Sequence, residues 1–99
     1  MIVEFEAAMF RWAARTDADW FFAAVPAHLS EEIRELAGPV TRGFGAVRVR
    51  ARVGGSSWQT SIFPGADGIY VLPLKRSVRE AETLVEGAAV PVRLEVALG

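Results

Sequence analysis

The run VRVRARVGGSSWQTSIFP, residues 47–64, decides the fold. Val47, Val49, Ala51 and Val53 alternate strictly with Arg48, Arg50 and Arg52. Successive side chains of a strand point to opposite faces, so this pattern is a strand with one apolar face and one wet, basic face. Gly54 and Gly55 supply a two-residue turn of the kind that accepts positive φ. On the return, Trp58, Thr60 and Ile62 alternate with Ser57, Gln59, Ser61 and Phe63, and Pro64 with Gly65 and Gly68 closes the strand. The two halves make a β-hairpin whose core face includes Trp58.

Working outward from the hairpin, the rest of the chain reads as short strands with two short helices. Ile2 to Ala14 alternates loosely, Val3, Phe5, Ala7 and Met9 against Glu4, Glu6 and Ala8, and predicts a long first strand. Ala14 to Asp19 is polar and reads as a turn. Trp20 to Val25 is a nearly continuous apolar run before Pro26, as in a strand buried on both faces. Ser30 with Glu31 and Glu32 looks like an N-cap followed by first-turn acids. Leu29, Ile33 and Leu36 then share one helical face, and Gly38 with Pro39 ends the helix. Ile69 to Leu74 predicts a strand. Lys75 to Leu84 predicts a helix with Val78, Ala81 and Val85 on its buried stripe and Gly87 as its stop. Ala88 to Leu98 closes the chain as a strand, with Pro91 calling for an edge position or a bulge. The order is β-β-α-β-β-β-α-β. Six strands with little helix predict a mainly β domain, a small and mostly antiparallel barrel that leaves no bare edges.

The 99 residues, 52% of them apolar, fit one domain spanning 1–99. Three Trp, six Phe and one Tyr give it large apolar surfaces to bury. There is no Cys, which excludes disulfides and thiolate zinc sites, and the acidic start MIVEFEAAMF is unlike a secretory signal. No apolar run reaches the roughly 20 residues of a spanning helix. A cytoplasmic protein with no membrane partner is the expectation.

Charge is divided unevenly. The stretch from Gly38 to Arg79 holds seven of the eleven cationic residues and, in Asp67, one of the twelve acids. A net charge of −1 therefore conceals a polarised molecule that can attract anions if the cations gather on one surface.

The segments GPVTRGFGAVRVRARVGGSSWQTSIFP and GIYVLPLKRSVREAETLVEGAAVPVRLEV, preceded by DWFFAAVP, resemble the domain-of-unknown-function family 1905 over nearly the whole chain. The matching pieces are Trp20 to Pro26, Gly38 with Arg42 and Gly43, the hairpin from Trp58 to Pro64, and Tyr70 to Arg79 leading to Gly87. The resemblance implies a small β-barrel of bacterial or archaeal type with no established activity. In some members of that family the domain forms the front half of a longer protein whose rear half resembles a bacteriocin-protection module.

Catalysis has few candidates. His28 is the one His, no acids converge on it in sequence, and a His at the approach to a helix is expected to be exposed or capping. Thr60 and Ser61 lack the surroundings of a nucleophile elbow. The sequence names no catalytic residue, calls for no cofactor and no metal, and leans away from an enzyme.

Binding is better supported. Arg48, Arg50 and Arg52 form a row on one strand face, read first as a solubilising face that pairs with Glu4, Glu6 or Glu95. Lys75, Arg76 and Arg79 cluster at the start of the second helix, where free N–H groups favour an anion. Arg42, in a Gly-flanked loop, with Thr60 and Ser61, is expected to join them. The leading expectation is a non-enzymatic binding module for a small phosphate- or carboxylate-bearing ligand. The alternative is a structural or interaction domain whose polarised charge drives homo-oligomerisation or contact with a protein partner. Single-stranded nucleic acid ranks third, because Trp58 is expected in the core and the pI is near 5.8. Trp12 and Trp20 are expected in the core or at the barrel ends, with Trp12 beside Arg11 as a possible partner surface if exposed.

Overall fold

The computed structural model describes residues 1–12, 20–38, 45–65 and 67–97. Its elements are β1 (Ile2–Arg11), β2 (Phe21–Ala24), α1 (Ala27–Ala37), β3 (Val47–Val53), β4 (Ser56–Pro64), β5 (Tyr70–Pro73), α2 (Arg76–Ala81) and β6 (Ala89–Val96). The order is the expected one. The strands close into a barrel in the sequence β1-β2-β5-β4-β3-β6, with every pairing antiparallel.

The Arg-rich hairpin pairs in full register from Val47 against Ile62 to Val53 against Ser56. Val47, Val49, Ala51, Val53, Trp58 and Ile62 are all buried. Gly54 takes the positive φ of 57° that the turn demands. The core fills from both walls, with Tyr70 and Leu72 on β5 and Val90, Val92, Leu94 and Val96 on β6.

Two strands turn the corners of the barrel. The first part of β1, Ile2 to Ala8, pairs with β6, and its last part, Met9 to Arg11, pairs with β2. Likewise β4 pairs with β3 through Ile62 and with β5 at Phe63 and Pro64. The barrel thus consists of two sheets, β4-β3-β6-β1 and β1-β2-β5-β4, that share their outer strands. Pro91 stands opposite Glu6 of β1, while the ladder between β3 and β6 covers only Arg93 to Val96. Its missing N–H falls beyond the end of that ladder, the edge-like position its sequence demands.

The structure corrects several local expectations. Ser30 is not the N-cap. α1 begins at Ala27, four residues earlier than that cap would require, with Pro26 at the cap position, and the Pro26 carbonyl accepts the Ser30 N–H at 2.8 Å. Ser30 is instead buried, donating its hydroxyl to the Val25 carbonyl and accepting the Tyr70 N–H, both at 3.1 Å. The buried stripe is accordingly Ser30, Ile33 and Ala37, and Leu36 is 56% exposed. A helix packed on a barrel buries one narrow stripe, and Ile33 belongs to both candidate stripes. In β2, Ala23 is buried and Phe22 looks outward, so the strand is not buried on both faces. The expected end of the first strand, at Ala14, and the following turn lie outside the described residues, although a Trp12 N–H to Trp20 carbonyl bond of 2.8 Å continues the β1-β2 ladder one step.

α2 is shorter than its pattern suggests, and of the expected stripe only Val78 is buried. It stops at a Schellman motif. The Leu84 N–H reaches the Arg79 carbonyl at 2.9 Å, the Thr83 N–H reaches that of Glu80 at 3.3 Å, and Thr83 takes a φ of 52°. The Glu82 carboxylate accepts the Gly55 N–H and the Ser56 hydroxyl at 3.2 and 2.6 Å, so the helix end is fastened to the hairpin turn. Gly87, expected to stop the helix, sits in the later turn.

Candidate functional site

The outer surface of the barrel changes character where β1 and β4 change sheets. Along β4-β3-β6-β1 the outward residues are mostly polar or charged, Arg48, Arg50, Arg52, Gln59, Arg93, Glu95, Glu4 and Glu6 among them, with Ile2 and Pro91 as apolar exceptions. Along β1-β2-β5-β4 they are Phe10, Phe22, Val71, Pro73 and Phe63. A charged exterior is the default for a sheet facing water; an aromatic one is not.

This apolar side forms an open groove of about 1110 Å³. Phe10, Trp12, Trp20 and Phe63 are 38, 41, 44 and 42% exposed within it. Trp12 and Trp20 stack with ring centroids 5.0 Å apart and 19° between planes; Phe22 meets Trp12 edge-on at 6.4 Å and lies tilted by 33° against Phe10 at 5.9 Å. These rings make a continuous ladder on β1 and β2. Neither tryptophan is in the core, because the ends of β1 and β2 put both on the outward side of the pleat; of the expected placements, the exposed one given for Trp12 holds, and it extends to Trp20. Trp58 alone of the three is buried.

Lys75, Arg76 and Arg79 line one side of the same groove. Their position follows from the sharp passage of β5 into α2, with Leu74 and Val78 buried. The Arg79 Nε donates to the Leu74 carbonyl at 2.9 Å, and its guanidinium lies 4.5 Å from the centroid of Phe21. Arg76 pairs through Nε with Glu80 at 2.7 Å, largely in solvent, where such a pair neutralises little. A helix of six residues carries little dipole, so the cations themselves, rather than the helix terminus, give this rim its charge.

The remaining residues singled out from sequence lie elsewhere. Thr60 is half-buried on β4, between the inward-facing Trp58 and Ile62, and Ser61 stands opposite Arg48 on the other sheet; neither lines the groove. Arg42 is outside the described residues. The Arg48, Arg50 and Arg52 row is on β3, which the strand order puts across the barrel from β2. Arg50 is the register partner of Glu95, and Arg52 shares a shallow pocket with Glu4 and Arg93, where Arg93 and Glu4 pair at 3.9 Å. The two basic clusters thus do not meet. His28 is exposed in the first turn of α1. Among the described residues no group of three His, Asp or Glu is placed to hold a metal ion, and no helix is long and apolar enough to cross a membrane.

Sequence reasoning missed the aromatic groove, although its signal was present. Phe10, Trp12, Trp20 and Phe22 occupy positions that alternate with the core residues Met9 and Ala23, and the alternation was legible once the pleat of β1 and β2 was fixed.

The fold and its outer groove define a small closed β-barrel with an aromatic, cation-rimmed face. The chain belongs to the family described as Domain of unknown function (DUF1905), whose model matches residues 5–94. No curated protein matches the sequence.

Proposed function

We propose that this domain is a binding module whose outer groove holds a ligand with an anionic group and an apolar or aromatic body. One observation carries the reading: exposed aromatic rings floor a groove of about 1110 Å³ while Lys75, Arg76 and Arg79 line one side of it. Rings supply contact area without much loss of side-chain freedom. Guanidinium and ammonium groups beside an apolar surface hold phosphate or carboxylate more strongly than they do in open water. Thr60 and Ser61 are not part of the site proposed here.

Thermal melting against aryl phosphates, aryl carboxylates and mononucleotides, with inorganic phosphate as the comparison, tests it. A ligand at tenfold its Kd adds about 1.4 kcal/mol, or about 7 °C in Tm for a domain of this size. The rise is expected to shrink with salt and to vanish in Lys75→Glu/Arg76→Glu, whose side chains are exposed and whose loss does not disturb the core. Arg79→Ala is a poorer probe because it also removes the bond to Leu74. If no ligand of these classes shifts Tm, the reading fails. If light scattering instead shows a dimer that dissociates with salt and with Trp20→Ala, the groove is a contact between copies.

A further inference from the structure

The distribution of rings in the groove narrows the ligand class. Trp20, Trp12, Phe22 and Phe10 form one ladder on β1 and β2, whereas Phe63 stands on β4 with β5 between. Neighbouring strands lie about 4.8 Å apart, so the two ring platforms are separated by roughly 10 Å. One planar ring of a small metabolite does not reach both. A chain of planar rings joined by anionic links does.

The cations fit the same geometry. Lys75, Arg76 and Arg79 line the groove that the rings floor, and the Arg79 guanidinium is already oriented by Phe21 and the Leu74 carbonyl. The opposite side of the barrel carries four Arg residues against the groove's two, but interleaves them with Glu4, Glu6, Glu95 and Gln59, and the ring that lines it, Phe5, is half-buried against the core. Among the described residues, exposed aromatic rings and cations coincide only in the groove. Proteins that hold single strands without reading sequence combine these two elements, because every base has a π-face and every linkage a charge.

We propose that the groove binds single-stranded nucleic acid, with bases stacked on the Trp12–Trp20 ladder and on Phe63 and phosphates paired with Lys75, Arg76 and Arg79. This rests on the anion-binding reading of the same groove and specifies its ligand. Duplexes are disfavoured because their base faces are already covered. With at most three phosphates neutralised, the slope of log K against log salt is about −2, so affinity falls about 20-fold between roughly 50 and 200 mM salt. The overall net charge of −1 adds no long-range attraction, and a Kd in the micromolar range at low salt follows from so few contacts.

The test is fluorescence anisotropy of labelled oligothymidylate and oligouridylate of about 12 nucleotides, within the length a small barrel covers, with a duplex of equal length and thymidine monophosphate as comparisons. The expected result is single-strand binding with that salt slope, at least about tenfold tighter than duplex, and weakened about tenfold by Trp20→Ala and by Phe63→Ala. Lys75→Glu/Arg76→Glu should abolish it, and Arg50→Glu, across the barrel, should leave it unchanged. Binding of the monophosphate or an aryl phosphate without binding of oligonucleotides overturns this inference and leaves the anion-binding groove standing. Silence from all of them overturns both. Equal binding of duplex, or binding that survives both ring substitutions, means charge attraction alone and also overturns it, as does a dimer in which a second copy covers the groove.

Discussion

Ser30→Ala should destabilise the domain by about 2 kcal/mol, a large effect for the loss of one oxygen. Ser30 is 1% exposed and bridges the Val25 carbonyl and the Tyr70 N–H, linking the end of β2, the helix α1 and the start of β5. Val25 and Tyr70 are 0 and 2% exposed, so water cannot replace the hydroxyl without opening the core. An orphaned buried N–H costs about 1–3 kcal/mol, and the loss of the donor to Val25 adds to it. Ala has the higher helix propensity, which returns about 0.5 kcal/mol. For a 99-residue chain the unfolding entropy is about 0.2 kcal/mol/K, so a net 2 kcal/mol lowers Tm by about 10 °C. Calorimetry or a urea titration measures this. Glu35→Ala on the exposed side of α1 is the control and should stay within about 0.5 kcal/mol. Native-state hydrogen exchange should show faster exchange of the Tyr70 amide in Ser30→Ala. A Tm within about 3 °C of the parent, with Tyr70 still protected, would refute the bridge as a source of stability.

Two further outcomes test the joints that fix the groove wall. Glu82→Ala removes the acceptor of the Gly55 N–H and the Ser56 hydroxyl and should cost about 1–2 kcal/mol by urea denaturation, whereas Ser56→Ala, which leaves the Gly55 bond, should cost less; equal and negligible effects would show that the helix end is not fastened to the hairpin. Thr83→Gly should raise stability by up to about 1 kcal/mol, since a β-branched residue at a φ of 52° is strained and glycine is the common occupant of that Schellman position; a loss of stability in a melting curve would show that the Thr side chain has a compensating role.

The barrel was legible because its cause is local. Strict alternation across Val47–Val53, two glycines, and a second alternation through Trp58 and Ile62 specify a hairpin with a single buried face, since a slip of one residue would expose every valine. Six such segments with short connections leave few ways to cover all their edges. Ser30 was misassigned for an equally local reason: Ser before Glu is the pattern of an N-cap, and only the approach of β5, forty residues away in sequence, makes its hydroxyl more useful as a buried bridge. The short α2 has the same origin, because Glu82 finds the hairpin turn 26 residues back and the helix ends there.

The amino-acid order by itself determined the alternating faces, the two turns of chain that become helices, and the separation of positive from negative charge, since each depends on neighbours within a few residues. Which side of the barrel each outward residue occupies was decided only by closure. The strand order sends β3 with its arginines to one side and joins β1, β2, β5 and β4 on the other. That arrangement gathers Phe10, Trp12, Trp20 and Phe63, from three separate strand neighbourhoods, beside Lys75, Arg76 and Arg79. Alternation within a strand marks which residues face outward, but not which of them share a groove, because the hydrogen bonds that bring distant strands together are made by backbone common to every sequence.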